Sequence, residues 1–324
     1  MKLIRLSIIS LFLFLFVLPA LAEIKTFIRE YTYQASEADS KLSSRSISLR
    51  EVKRLLLEEL GTYLESISEI QNFQLTKDQI FTLTAGIVQT EIVDEKWDGR
   101  SYWLKARIAA DSDEIIKNID ALRRDFAKTK ELEQVRKRSD EQLREIARLR
   151  KELVTTRDET RAKEKAAYDD AISRLTAIEW FEKGYAFCTS GDYRNAINAY
   201  TKSIEFNPKY ASTYNNRGYA HDKLGNHKQA IKDYNKAIVL DSVDAVAYNN
   251  RGCAYIELGN YRKAIKDFNK AIELNPNYAV AYNNRGCAYF DLGNHRQFYK
   301  DIKTAARLGY KVAQDALRKV GKDW

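Results

Sequence analysis

The chain is poor in the residues that build catalytic centres and metal sites. It has three histidines and three cysteines, and all six fall in its C-terminal half. The sequence contains no glycine-rich phosphate loop, nucleophile elbow, metal-binding Cys/His spacing or calcium loop. It therefore predicts a protein that is not an enzyme, with no catalytic residue, no metal ligand and no cofactor.

The few cysteines are predicted to remain free thiols. Cys188, Cys253 and Cys287 fall on predicted helices, and the last two hold equivalent positions of a repeat. Neighbouring helices pack about 8–10 Å apart axis to axis, beyond the roughly 7 Å limit on the Cα separation of a disulfide. A redox protein that uses Cys253 and Cys287 is the alternative.

Glycine and proline are absent between residues 112 and 173. Charges of both signs fill this stretch, and apolar residues from Leu132 to Leu153 follow the 3-4 spacing of a coiled-coil seam. The pattern predicts a long charged helix or coiled coil over residues 112–176, a rod of roughly 90 Å. Its narrow apolar stripe favours self-association, and a solvated single-helix spacer is the alternative.

Only one long apolar run is present, from Leu6 to Leu18. Basic residues precede it, and Ala20 and Ala22 follow at the spacing of a signal-peptidase site. We expect residues 1–22 to be a cleaved signal peptide, with an uncleaved membrane anchor as the alternative. The protein is then exported, and the absence of Asn-x-Ser/Thr sequons favours a bacterial periplasm.

Residues 23–111 have the pattern of a small α+β domain. An alternating stretch predicts a strand at its start, and helical periodicity follows from about residue 37 to 66. Two more strands are predicted over residues 87–97 and 100–110, because Asp98-Gly99 between them is a strong hairpin signal.

This β-α-β-β layout is similar to the N-terminal domain of flagellar assembly protein T. The resemblance is carried by Ala85-Gly86-Ile87-Val88, by Val93-Asp94-Glu95-Lys96 and by the Tyr/Trp strand after them. It implies a role in the assembly of an envelope structure.

From Ala177 to Val312 the sequence repeats itself every 34 residues. An aromatic residue, a glycine and a second aromatic residue recur at i, i+4 and i+7, which is one helix face. A Leu-Gly-Asn triplet follows as a helix stop, and an alanine recurs on the next helix. The recurring residues are Trp180, Tyr214, Tyr248 and Tyr282; Gly184, Gly218, Gly252 and Gly286; and Ala196, Ala230 and Ala264.

The period predicts two antiparallel helices per unit in four units, residues 177–210, 211–244, 245–278 and 279–312. Residues 313–324 predict a capping helix and the C-terminus. The residue series resembles the tetratricopeptide repeat. That resemblance implies a mainly α fold with a C-terminal solenoid, in which the first helices of successive units line a concave groove for a peptide.

The positions that face this implied groove carry aromatic, aliphatic and Asn side chains. Carboxamides donate to and accept from a peptide backbone with little side-chain selection. Duplication alone is an alternative origin of the Asn pairs, because residues 245–255 and 279–289 are identical. The candidates are Phe181, Tyr185, Asn215, Asn216, Tyr219, Asn249, Asn250, Ile256, Asn283, Asn284 and Phe290.

The excess of positive charge lies in the repeats. Lys and Arg outnumber Asp and Glu by 23 to 15 from Ala177 onward, whereas the numbers are 29 and 30 from Glu23 to Thr176. A basic solenoid favours acidic protein tails or an anionic envelope surface over nucleic acid, unless the lysines are simply solvated. In groove proteins that bind a C-terminal carboxylate, basic residues stand where this chain has Phe181, Ser212 and Val246, so no such clamp is predicted.

Together these predictions describe an exported, non-catalytic scaffold or adaptor that binds a peptide segment of a partner protein. A structural subunit of an envelope complex, for example of a flagellar or secretion type, with an empty groove is the alternative.

Overall fold

The computed structural model describes residues 24–67, 70, 72–124, 126–155, 158–319 and 321. These residues form three strands and thirteen helices. The predicted signal peptide, residues 1–22, lies outside them. Among the helices of the described ranges, none combines the length and the apolar character needed to cross a bilayer.

The N-terminal domain is a three-stranded antiparallel sheet with two helices. The strands are ordered β1-β3-β2, and the first strand of the hairpin begins at Glu91 instead of residue 87. The elements are β1 (Ile24–Gln34), α1 (Lys41–Glu65), α2 (Lys77–Ala85), β2 (Glu91–Trp97) and β3 (Ser101–Asp111).

Alternate residues of β3 build the core of this domain. Tyr102, Leu104 and Ile108 are buried in one apolar cluster with Leu56 and Leu60 of α1. Burying side chains of this size stabilises a fold by about 1.5–3 kcal/mol each. A one-residue slip of β3 would expose the whole set, so this face fixes the register of the sheet.

Residues 112–176 do not form one continuous rod. They fold into α3 (Ser112–Arg124), α4 (Phe126–Thr155) and the first part of α5 (Asp158–Thr189). The prediction failed because a heptad pattern shows that a stripe needs a partner but not which helix supplies it.

The partner of the apolar stripe is the chain itself. Ile146 and Leu153 of α4 are buried against Tyr168 and Ile172 of α5, in an antiparallel helical hairpin. The seam that favoured a coiled coil between copies is therefore already covered within one chain.

A buried carboxylate ties this hairpin to the N-terminal domain. Asp39 accepts hydrogen bonds from the Tyr33 hydroxyl (3.2 Å), from the Ser36 backbone N–H (2.7 Å) and from Tyr168 of α5. Arg150 of α4 places its Nε 3.3 Å from the same carboxylate. Burial alone would raise the pKa of Asp39, but these hydrogen bonds and Arg150 hold it below its usual value.

The last part of α5 is the first helix of unit 1, and eight further helices complete the repeat region. The predicted C-terminal solenoid of paired helices is confirmed, and one more helix follows its fourth pair. The helices are α6 (Tyr193–Phe206), α7 (Ala211–Lys223), α8 (His227–Leu240), α9 (Ala245–Glu257), α10 (Tyr261–Leu274), α11 (Ala279–Asp291), α12 (His295–Arg307) and α13 (Lys311–Lys319).

The recurring glycine lets the two helices of a unit approach closely. A Cβ added at Gly252 would lie 2.6 Å from the ring of Phe268, which is fully buried. The same atom at Gly184 would lie 2.7 Å from Tyr200. The pairing of glycine with a large ring is therefore the packing unit that repeats.

A buried ion pair, which the sequence analysis missed, closes units 2 to 4. In unit 3, Arg251 of α9 binds Asp267 of α10 through two hydrogen bonds of 2.7 Å. A third N–H of Arg251 reaches Asn235 of the preceding unit at 2.7 Å, so one side chain joins three helices. Arg217 with Asp233 and Arg285 with Asp301 repeat the arrangement.

We expect Asp39→Asn to loosen the α4–α5 hairpin, because the amide leaves Arg150 without its charge partner, at a cost of about 3 kcal/mol. Amide hydrogen exchange of α4 should quicken. Asp170→Asn, which removes an exposed carboxylate of α5, is the control. The lowered pKa means that this stabilisation is present above about pH 4 and is lost below it, and the variant should lack that pH dependence.

We expect Gly252→Ala to destabilise the repeats by about 1–3 kcal/mol, because the buried Phe268 ring has no room to move. Urea unfolding followed by circular dichroism measures the effect. Gly61→Ala in α1 is the matched control, since a Cβ there meets nothing within 4 Å. That substitution should be neutral or stabilising by about 0.5–1 kcal/mol, and an equal loss in both variants would contradict the packing argument.

Candidate functional site

The first helices of units 2, 3 and 4 lie side by side and form the wall of a groove. Backbones of α7, α9 and α11 approach one another directly. Their groove-facing positions carry the Asn pairs that the sequence repeats, at Asn215, Asn249 and Asn283 and at the residue after each.

The Asn side chains form a ladder that runs along the groove. Asn250 Nδ2 donates to Asn215 Oδ1 at 3.1 Å, and Asn284 Nδ2 donates to Asn249 Oδ1 at 3.0 Å. Asn215 and Asn249 are buried, whereas the two donors are half-buried. The ladder therefore joins neighbouring units and leaves one member of each pair at the surface.

At unit 1 the ladder ends on a different part of the chain. The position that holds Asn215 in unit 2 holds Phe181 in unit 1, so Asn216 has no carboxamide to donate to. Its Nδ2 donates instead to the Glu131 carboxylate of α4 at 2.7 Å. A second hydrogen bond of 3.0 Å holds the same amide on the Ser212 carbonyl.

Helix α4 covers the unit 1 end of the groove. Phe181 and Tyr185 are buried in one cluster with Leu132 and Val135 of α4. A ligand cannot reach these two groove candidates in this structure.

Two arginines of α4 make contacts on opposite sides of this helix. The Arg138 guanidinium lies 5.1 Å from the centre of the Tyr210 ring, which itself lies 5.2 Å from the Phe181 ring. Arg136 of α4 turns the other way and binds Asp78 (2.9 Å) and Thr82 (2.9 Å) of α2. Helix α4 is thus held between the N-terminal domain and the first repeat.

The remaining candidates lie in the open part of the groove, in units 2 to 4. Tyr219 is half-buried beside Tyr193, with ring centres 6.5 Å apart. Ile256 is half-buried, and Phe290 is 51% exposed although its ring packs at a tilt against Phe298, with ring centres 5.2 Å apart. An apolar surface beside half-exposed carboxamides is suited to non-covalent binding.

The groove also contains two thiols. Asn284 Nδ2 lies 3.3 Å from Cys253 Sγ, and Cys287 is exposed one unit further on. Burial raises the pKa of Cys253 to about 12, and nearby carboxylates add to the effect. This thiol is therefore protonated at neutral pH. Across the described ranges, no group of three or more His, Cys, Asp or Glu residues is placed to hold a metal ion.

Sequence reasoning missed the α4 residues that shape the site. Leu132 and Val135 were assigned to a coiled-coil seam, and Glu131 and Arg138 carried no distinguishing signal. Phe181 and Glu182, which stand where the other units have an Asn pair, mark unit 1 as different in the sequence.

Comparison with known proteins agrees with this geometry. Tetratricopeptide repeat models match residues 211–242, 245–278 and 268–297, and a related TPR repeat model matches residues 184–225. The C-terminal part of the chain therefore belongs to the tetratricopeptide repeat family. The comparison with curated proteins gave no match.

Solved structures of this repeat class are similar to parts of the chain. The Arabidopsis OM64 TPR domain is 30% identical, with 36% of this chain and 98% of that domain covered and a TM-score of 0.36. The first TPR of Spaghetti (RPAP3) bound to the HSP90 peptide SRMEEVD is 31% identical, covers 37% and 95%, and gives 0.37. YrrB, described as a TPR protein with an unusual peptide-binding site, is 20% identical, covers 48% and 83%, and gives 0.40.

We expect Asn216→Asp to release α4 from the groove, because two carboxylates would then face each other at the Glu131 contact. Amide hydrogen exchange of α4 should become about tenfold faster, which corresponds to a loss of about 1.5 kcal/mol. Asn284→Asp changes the same position of unit 4, where α4 does not reach, and should leave α4 exchange unchanged. Equal rates in both variants would show that this contact does not hold the helix.

Proposed function

We propose that the protein is a non-catalytic adaptor that holds a segment of another protein in the open part of its groove. The observation that carries the proposal is the arrangement in units 2 to 4, where the exposed Phe290 and the half-buried Ile256 lie beside the Asn ladder. Aromatic side chains are enriched in protein interfaces, and carboxamides can pair with the backbone of a bound segment.

The ladder leaves hydrogen-bonding capacity for a ligand. A carboxamide has two N–H groups and one accepting oxygen. Asn250 donates one N–H to Asn215, and Asn283 donates to its neighbour Asn284 at 3.4 Å. Their remaining groups lie at the half-buried surface of the groove, where the backbone of a bound segment supplies the partners.

The N-terminal part of the chain supports a location outside the cytoplasm. The apolar run from Leu6 to Leu18 has the pattern of a signal peptide. We place the adaptor in a bacterial periplasm, where the N-terminal α+β domain takes part in an envelope assembly. Helix α4 contacts both the N-terminal domain and unit 1. The N-terminal domain therefore stays next to a segment that is bound in the groove.

Two other functions make different predictions. A structural subunit with an empty groove would contact its neighbours through the outer surface of the repeats. A redox protein would depend on Cys253 or Cys287, so that Cys→Ser changes would abolish its activity in cells. The high pKa of Cys253 disfavours the second function, since the thiolate is the reactive form.

A photo-crosslinking amino acid placed at Phe290 should give a covalent product with a partner protein in cells of the source organism. The same amino acid at Val239, which is 77% exposed on α8, is the control on a second helix. Adducts are identified by mass spectrometry. Products from Val239 but not from Phe290 would favour the structural subunit and count against the groove.

A further inference from the structure

We infer that the open groove selects a basic segment of its partner, with Lys or Arg residues that meet an acidic edge formed by Asp222, Glu257 and Asp291. The inference deepens the proposed function and rests on it. It runs against the net charge of the chain, which is +9 and would favour acidic partners.

The acidic edge lies where the first helices end. Glu257 is the last residue of α9, Asp291 is the last residue of α11, and Asp222 is the residue before the end of α7. Glu257 and Asp291 hold the same position of units 3 and 4, whereas Asp222 of unit 2 holds the position of Ile256 and Phe290. The only positive residue at the equivalent positions of units 2 to 4 is Lys223, which lies over the Tyr219 ring at 5.1 Å.

Two of the three carboxylates have no ion-pair partner in the described part of the chain. Glu257 and Asp291 are exposed, and neither forms an ion pair with any residue that the structure describes. Asp222 differs, since His227 Nδ1 lies 2.7 Å from it. Units 3 and 4 therefore present two carboxylates that no described residue neutralises through an ion pair.

These carboxylates stand at an unfavourable place for stability. The C-terminus of a helix carries a partial negative charge, so an acidic residue there costs about 0.3–1 kcal/mol where a lysine would stabilise. The cost is present at both Glu257 and Asp291. A residue that opposes local stability at equivalent positions is expected where a binding surface needs it.

The acidic edge lies close to the apolar floor of the groove. Burial is the main cause that raises the pKa of the Cys253 thiol; Asp222 and Glu257 raise it further, and Lys223 acts in the opposite direction. Asp291 has the same effect on Cys287, after burial. Glu257 and Asp291 directly follow Ile256 and Phe290 in the chain, so a ligand that rests on these two apolar side chains passes beside the carboxylates.

The spacing of the units sets the pattern of the ligand. Neighbouring helices lie about 8–10 Å apart, and an extended chain advances about 3.3 Å per residue. A bound segment therefore advances about three residues per unit. The expected ligand has basic residues about three positions apart, for Glu257 and Asp291, with apolar residues between them for Ile256 and Phe290.

The test is selection of peptides from an unbiased displayed library on the full-length protein, followed by fluorescence anisotropy with the selected peptides. We expect peptides with Lys or Arg about three residues apart. Reversal of the edge in E257K/D291K should weaken them about tenfold or more, from the loss of two charge contacts and their replacement by repulsion. Raising the salt concentration should weaken wild-type binding.

The matched control is E205K/E273K, which makes the same change of charge at exposed positions of the second helices α6 and α10. It should leave binding within about twofold. A second variant, Phe290→Ala, tests whether the selected peptides bind in the groove, and it does not change the charge of the protein.

The outcomes separate this inference from the proposed function. Peptides that need Phe290 but are acidic or neutral, and that tolerate E257K/D291K, would overturn the inference and leave the adaptor function standing. Selected peptides that tolerate Phe290→Ala and both charge variants would overturn the groove itself. Equal weakening by E257K/D291K and by the control would show an effect of net charge only, and would also overturn the inference.

Discussion

The structure depends on how the first helix of the repeats is covered. A solenoid unit packs its aromatic face on the unit before it, and unit 1 has no such neighbour. In this chain the N-terminal domain and α4 take that place, with Leu132 and Val135 on Phe181 and Tyr185. This contact fixes the N-terminal domain on the repeats and closes one end of the groove. It also leaves units 2 to 4 as the part that a partner can reach.

Charged and polar groups specify this docking as much as apolar packing does. Glu182 of unit 1 is buried with Arg50 and Lys53 of α1, and Arg50 Nη1 lies 3.2 Å from it. Burial raises the pKa of Glu182, but the two cations outweigh burial and hold it below its usual value. Removing one member of such a network leaves an uncompensated buried charge, which destabilises the fold by about 3–5 kcal/mol. Helix α1 can therefore pack against α5 in few other ways.

The repeats could be predicted from the sequence because the same type of residue recurs at each packing position in several units. Gly184, Gly218 and Gly252 occupy the same position of three units. The role of this position in packing can therefore be inferred from three independent examples. The hairpin at Asp98-Gly99 was predictable because its signal is local. The packing of α4 on α5 was not, since no glycine or proline between Ile146 and Tyr168 marks an end of the helical pattern. Because the packing of α4 could not be predicted, its position over the unit 1 end of the groove could not be predicted either. For the same reason the sequence did not show that Phe181 and Tyr185 are buried and closed to a ligand.

The charge of the whole chain and the charge of its groove act at different distances. Beyond a Debye length of about 8 Å, salt screens exposed charges, so the basic surface of the repeats influences which molecules approach. At the ends of α9 and α11, Glu257 and Asp291 form no ion pair with a described residue, whereas the arginines of these helices pair with Asp267 and Asp301. Burying those arginines in ion pairs is what allows a basic protein to present an acidic edge. A partner segment is therefore discriminated by the few charges that the fold leaves unpaired, and the net charge of the chain does not report them.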